Sequence, residues 1–226
     1  MIKLITVILL ITLVFSTACT ITGGTVKDTG ECSSLEGAAK DDCYSEALQC
    51  SKIESKIVRD SCVANLAKEK QDLEVCDLIQ SSSTKGYCQE QIALLRNDQT
   101  ICRDIKDQYW EDECHFHLGV KDNEDTFCSF IHTQERREGC FNTIALATNN
   151  TLFCDFLTAP ADDTCIYTIA QNLQNSTTCN EISESLGRDV CWSKIARLRN
   201  DGTLCQTITS SAVKEVCLGY FPELKK

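Results

Sequence analysis

The sequence predicts an all-α fold, an α-hairpin solenoid of about eight 26-residue repeats with one disulfide per hairpin. Three observations predict it. Cysteines at 50, 62, 76, 88, 102, 114, 128, 140, 154, 165, 179, 191, 205 and 217 fall on steps that alternate 12 and 14, with one step of 11. Aliphatic residues recur at fixed offsets from those cysteines. Prolines number only two and glycines ten, too few for the turns of a β sandwich.

The first half of each repeat opens at Cys32, Cys50, Cys76, Cys102, Cys128, Cys154, Cys179 or Cys205. Three residues later stands Leu35, Ile53, Ile79, Ile105, Ile131, Leu157, Ile182 or Ile208. The preceding residue is usually apolar as well (Val75, Ile101, Phe127, Phe153, Leu204). Positions i−1, i and i+3 share one helical stripe, so a short amphipathic helix is expected here. The second half carries Cys43, Cys62, Cys88, Cys114, Cys140, Cys165, Cys191 or Cys217. Four residues on come Ala47, Leu66, Ile92, Leu118, Ile144, Ile169, Ile195 and Phe221. One further, a small residue recurs at Ala67, Ala93, Gly119, Ala145, Ala170 and Ala196. Such a helix can approach its neighbour closely.

Polar turns such as LRNDQT, KDNEDT, ATNNT, LQNST and LRNDG separate the repeats. Their Asn and Asp residues tolerate the left-handed conformation that ends a helix, and Asp98 in LRNDQTIC suits the following N-cap. Asp60, Asp112, Asp163 and Asp189 stand two before the second Cys, where the first turn of helix two favours negative charge. The helices, about 8 to 12 residues each and about fifteen in all, are marginal alone. Stacking and staples must hold them.

Two pairing registers are open. One joins Cys102 to Cys114 across a hairpin with its turn near Gln108; the other joins Cys114 to Cys128 around Asn123. The first uses all sixteen cysteines from Cys32 onward, whereas the second strands Cys32 and Cys217, so the within-hairpin register is expected. Each bridge closes a loop of about 12 residues, worth about 3 kcal/mol in the chain-entropy model. Cys43 and Cys50 are seven apart, which truncates the first unit as an N-terminal cap. Phe221, Pro222 and a polar tail form the closing one.

Residues 1–18 have the order of a secretory signal: one Lys, an apolar run from Leu4 to Phe15, then small residues. The run is too short to span about 30 Å of hydrocarbon. Cys19 follows directly, and Ser16-Thr17-Ala18-Cys19 resembles the lipobox of prokaryotic lipoproteins, with Ser16 where that motif usually has Leu. Of 17 cysteines, sixteen lie on the grid or at Cys32 and Cys43; Cys19 is the odd one. The expected organisation is a signal peptide (1–18), a lipidated Cys19 with a flexible tether (19–31), and a stapled repeat domain (32–226). Cleavage by an ordinary signal peptidase, releasing a secreted chain, and an uncleaved anchor are the alternatives.

The recurring C-x-x-I, C-x-x-x-[IL]-A and Asn/Asp turn over residues 32–221 resemble the Cys-stapled helical repeats of archaeal surface proteins. Their hairpin stacking is similar to that of Sel1 and tetratricopeptide repeats, whose units are longer and lack the cysteine grid. The resemblance implies class, not chemistry.

A net charge of −11 repels phosphate backbones and argues against nucleic acid. No CxxC, HExxH, GxSxG, GxGxxG or Walker motif occurs. His115 and His117 point to different faces, so they form no metal pair, and His132 is a surface or packing residue. The Asp122–Asp125 run reads as a capping turn rather than an EF-hand loop. Asn149 and Asn175 head glycosylation sequons. Trp110, Trp192, Phe130, Phe156 and Tyr167 are expected to pack. No cofactor or metal is expected. The expected function is non-enzymatic binding of a protein or peptide by a membrane-anchored solenoid, through its extended concave face. A thiol-rich metal-binding or redox protein is the alternative, and an enzyme with a scattered site a third reading without a supporting motif.

Overall fold

The computed structural model describes residues 29–224; the expected signal peptide (1–18) and the expected lipidation at Cys19 lie outside the described residues. Every described element is helical. The chain divides into two compact units, Met1–Cys62 and Val63–Lys226. In the first, a helical turn α1 (Thr29–Cys32) precedes α2 (Gly37–Glu46), then a 3₁₀ turn (Cys50–Lys52) and the start of α3 (Lys56–Lys70). The expected tether thus gives way to helix at Thr29. In the second unit, α4 (Leu73–Cys76) pairs with α5 (Ser82–Arg96), α6 (Gln99–Asp104) with α7 (Gln108–Asp122), and α8 (Asp125–Cys128) with α9 (Gln134–Thr148). The 3₁₀ turns Thr151–Phe156, Ser176–Glu181 and Gly202–Thr207 then pair with α10 (Ala161–Leu173), α11 (Ser185–Arg199) and α12 (Ser211–Gly219). Each long helix packs against the next long helix in chain order, from α5 to α12.

All eight disulfides join the two halves of a repeat, from Cys32–Cys43 to Cys205–Cys217, with Cα atoms 5.5–5.8 Å apart. The two halves are unequal. The expected helices of 8 to 12 residues become, within the second unit, a first element of 4 to 6 residues and a second of 9 to 15. The aliphatic residue at Cys+3 ends the first element. Ile105 adopts φ −66°, ψ 124°, and its amide bonds the Cys102 carbonyl at 3.2 Å. Ile182 and Ile208 do the same. This side chain therefore enters the core from an extended residue, not from a helical stripe, and Ile105, Ile131, Ile182 and Ile208 are 1–3 % exposed.

The turns between repeats behave as their Asn residues predict. Asn97, Asn123, Asn149 and Asn200 each take φ of 52–53° and close a helix. The next amide reaches back five residues, as in Asp98 N–H to the Ala93 carbonyl (3.0 Å) and Glu124 N–H to that of Gly119 (2.9 Å). Asp98 then caps Thr100, as expected, and Asp72, Asn150, Asn175 and Asp201 repeat the cap. The small residue at Cys+5 also has a steric reason. A Cβ on Gly119 would stand 3.3 Å from Cys140 Sγ and 3.2 Å from Phe127 Cβ, so the next repeat's disulfide packs on this spot. At the C-terminal end, Phe221 and Leu224 fold over Gly202, where a Cβ would come within 2.7 Å of both.

The Asp at Cys−2 has a different role from the one its position suggests. Asp112 and Asp189 sit in the second turn of their helices and Asp163 in the first, as expected, and each serves the following repeat. Asp112 accepts the His132 and Thr133 amides (2.7 and 2.9 Å) and the Thr133 hydroxyl (2.6 Å). Asp163 holds Ser183 and Glu184 in the same way, and Asp189 holds Thr209 and Ser210. Within the first unit, Asp41 accepts the amides of Glu54 and Ser55. Each carboxylate brackets the entry to the next long helix. Burial pushes the Asp112 carboxyl up, but the hydroxyl and amides it accepts outweigh that and hold it below the ordinary Asp range.

Mass spectrometry of the oxidised chain should read about 16 Da below the fully reduced chain. Asp112→Ala should lower the unfolding free energy at neutral pH by about 1–3 kcal/mol, read from urea midpoints. Because the native pKa lies below the unfolded value near ~3.9, that contribution is complete above pH ~4 and fades as pH falls through the native pKa. The Asp112→Ala and parent midpoints should therefore converge in acid.

Candidate ligand-binding trough

On each long helix, the residues at Cys−1, +2, +3 and +6 form a stripe at spacing i, i+3, i+4, i+7. Between successive helices of the second unit these stripes border open grooves. The groove between α7 and α9 has a volume of about 750 Å³ and is lined by Tyr109, Glu113, Glu135 and Arg136 among others. The next, between α9 and α10, has about 560 Å³ and shares Glu135 and Gly139 with the first. The third, between α10 and α11, has about 500 Å³ and shares Pro160 and Thr164 with the second. The last, between α11 and α12, has about 470 Å³ and shares Tyr167 and Val190 with the third. Shared walls make the four one continuous trough. Exposed apolar side chains stand along it, with Tyr109 62 % and Val216 59 % accessible.

A charged network crosses the near end. Glu90 on α5 is 1 % exposed, and its carboxylate lies 2.7 Å from His117 Nδ1 on α7. His117 Nε2 is 3.9 Å from Glu113, which pairs with Arg136 on α9. The Arg136 guanidinium lies 3.7 Å above the Phe116 ring. The Glu90 hydrogen bond, opposed by burial and reinforced by both carboxylate charges, raises the His117 pKa. Three consecutive helices are thus tied by ion pairs with His117 half exposed. None of this was legible as a set, because Glu90, Glu113, His117 and Arg136 have different offsets in their repeats. Among the described residues, no cluster of His, Cys, Asp or Glu is arranged to hold a metal ion.

His115 and His117 do face opposite ways, as expected. His115 is fully buried beside Phe130 (ring centroids 5.3 Å apart), and neither ring nitrogen has a hydrogen-bond partner. It occupies the position that Phe141 fills one repeat later, stacked on Phe156 at 4.2 Å. Burial, then the nearby Arg103 charge, lower its pKa to about 4. His132 is exposed and sits beside Glu111 and Asp112. Trp110 packs across repeats: its Nε1 donates to Ser83 Oγ, and its Cβ and ring fill the space above Gly86. Trp192 packs against the core, Phe130 and Phe156 form exposed lids on it, and Tyr167 lines the trough.

The Asp122–Asp125 run is a capping turn, with Asn97 donating to Asp122 and Thr126 to Glu124. Asn175 is exposed while its Oδ1 accepts from Thr177; Asn149 ends α9 and accepts from Asn172. Every cysteine from Cys32 to Cys217 is disulfide-bonded. Eight disulfides suit an oxidising compartment outside the cytoplasm. Among the described residues, no helix is long and apolar enough to cross a membrane.

Buried His115 and half-exposed His117 work in opposite directions. For His115 the native pKa is lowered, so folding stability falls as pH drops from ~6.5 towards its native value. His117 is raised, so its contribution is full below ~6.5 and lost as pH climbs past its native pKa. His115→Phe should raise the urea midpoint and flatten its pH dependence between pH 7 and 5. His117→Gln should lower the midpoint more at pH 5.5 than at pH 8.5.

No family model matches this chain, and no curated protein or solved structure matches it.

Proposed function

We propose that this chain is an exported, non-enzymatic binding protein that holds a protein or peptide partner in the trough between its long helices. Comparison of the repeats with one another carries the reading. At Cys+4 the side chain is Leu or Ile from Leu66 to Ile195, and at Cys+5 it is Ala or Gly from Ala67 to Ala196. On the trough stripe no position keeps one residue type along the chain. Position Cys−1 is Tyr87, Glu113, Gly139, Thr164, Val190 and Val216 in turn, and Cys+3 is Gln91, His117, Thr143, Thr168 and Lys194. Packing demands uniformity from repeat to repeat, whereas recognition of a non-repeating partner demands the reverse. A trough of four grooves across five long helices, open and partly apolar, fits an extended partner segment.

Anchorage at the outer face of the membrane, through a lipid on Cys19 after removal of residues 1–18, belongs to the same proposal. It rests on the signal-like segment and the one cysteine outside the disulfide grid. A thiol-rich metal or redox role has less support, since each of the sixteen grid cysteines is in a disulfide and at most 6 % exposed.

Photocrosslinkers placed at Tyr109 and Val190 should capture the same partner on intact cells, while one placed at exposed Leu152, away from the trough lining, should not. Tyr109→Glu together with Val190→Glu should cut capture at least tenfold. Equal labelling from all three sites would overturn the reading. For anchorage, Cys19→Ser should release the chain from membranes into the medium; continued membrane retention would refute lipidation.

A further inference from the structure

The last groove differs from the other three in charge. Its walls are Tyr167, Val190, Val213 and Val216, and it carries Lys194 and Arg197 but no carboxylate. The adjoining groove has Asp163 and Glu184 and no cation. The one beyond it has Glu135 and Glu138, again without a cation. In a chain of net charge −11, two cations on an apolar floor stand out. Lys194 is half buried, and among the described residues neither it nor Arg197 has an ion-pair partner. Arg197 is held by an aromatic ring instead, its guanidinium 4.2 Å over Tyr220.

These features specify a ligand that brings a negative charge and an apolar group together. A half-buried ammonium without a counter-ion is unfavourable, and a bound anion removes that cost. The guanidinium fork matches a carboxylate in particular. The valine walls are suited to an aliphatic side chain beside it. An inorganic anion would leave those walls uncovered. An alkyl carboxylate would cover them, but its chain would then meet Asp163, Thr164 and Glu184 in the adjoining groove. A peptide main chain and a basic side chain suit that groove better.

Resting on the reading of the trough as a peptide site, we propose that the α11–α12 groove receives the C-terminal carboxylate of a partner polypeptide ending in an aliphatic residue. The upstream residues continue into the α10–α11 groove, where Asp163 and Glu184 favour a Lys or Arg.

The test uses the oxidised chain and a fluorescein-labelled peptide, Ser-Gly-Lys-Ser-Val-Leu, as the free acid and as the C-terminal amide, read by fluorescence polarisation. The acid should bind about tenfold or more tighter than the amide. Lys194→Met should remove that difference while leaving the thermal melt of the chain unchanged, and Arg197→Met should do the same. Glu135→Gln, two grooves away, should change neither affinity. Replacing the peptide's Lys by Glu should weaken the acid. Equal binding of acid and amide, insensitive to Lys194→Met, would overturn the carboxylate assignment and leave the wider trough reading to stand on its crosslinks. Displacement of the peptide by dodecanoate, at concentrations where acetyl-Val-Leu has no effect, would overturn it in favour of a lipid ligand. Absence of binding by both peptides would also overturn it.

Discussion

The disulfide inside each repeat is the constraint on which everything else depends. A first element of four to six residues makes one or two turns at most and has no stability of its own, because nucleating a helix costs more than so few hydrogen bonds return. The sulfur bridge fastens it to the middle of a partner long enough to persist. Cys102, near the end of α6, meets Cys114, at the seventh residue of α7. Once that pair is fixed, Ile105 can leave the helical path and still reach the core. The bridge also supplies the surface on which repeats stack. Gly119 lacks the Cβ that would press on Cys140 Sγ, and alanines of zero exposure hold the same position in four other repeats of the second unit and at Ala67. Sulfur and a small residue thus replace the large aliphatic layer that a longer helical repeat would use.

Stacking alone does not fix the direction of the next long helix. The bracketing carboxylates do, since each accepts two backbone amides at the entry of the following helix and leaves that entry little freedom. Where the Asp is missing, another device takes over. Gly86 makes room for Trp110, whose indole bonds Ser83 and whose ring meets Tyr87 edge-on at 5.1 Å. Glu138 reaches the hydroxyl of Thr158 instead of a pair of amides, at the one repeat of the second unit whose cysteines are eleven rather than twelve apart. Part of the chain's acidity is therefore mechanical. Those carboxylates act first as acceptors for backbone donors; where one also lines the trough, as Asp163 does, its charge still faces the groove.

The repeat length, the pairing of cysteines and the turn chemistry were legible because each is written several times over. A signal present in eight copies survives the idiosyncrasy of any one. The unequal lengths of the two halves were not, for a reason visible at Ile105: an aliphatic residue at i+3 fits a helical stripe and an extended C-cap equally well, and periodicity cannot separate them. The bracket had a signal that offset counting from one repeat alone cannot catch. Asp112, Asp163 and Asp189 are each followed about twenty residues later by Thr133, Ser183 and Thr209, whereas Gly86 is followed by Lys106-Asp107 with no hydroxyl. Only the pairing of two positions in different repeats exposes it. The burial of His115 could not be read either. Its slot belongs to Phe141 and Ile166 in the next two repeats, and a histidine there breaks the pattern of its own position.

That division between repeated and unrepeated positions explains why the residues of the trough are free to vary. Disulfide, Cys+3, Cys+4 and Cys+5 carry packing; Asn, Asp and Thr at the turns satisfy the helix ends; the brackets aim the helices. With those duties discharged elsewhere, the residues at −1, +2, +3 and +6 from the second cysteine of each repeat share no common requirement, and exposed ones such as Val190 and Val216 can change without disturbing the core. Charge can then be distributed along the trough without disturbing the fold. Carboxylates dominate the middle grooves and cations the last, giving the site a polarity that no single repeat possesses. A partner laid along it would be read in one direction only, since reversing it would set its basic side chains against Lys194 and Arg197.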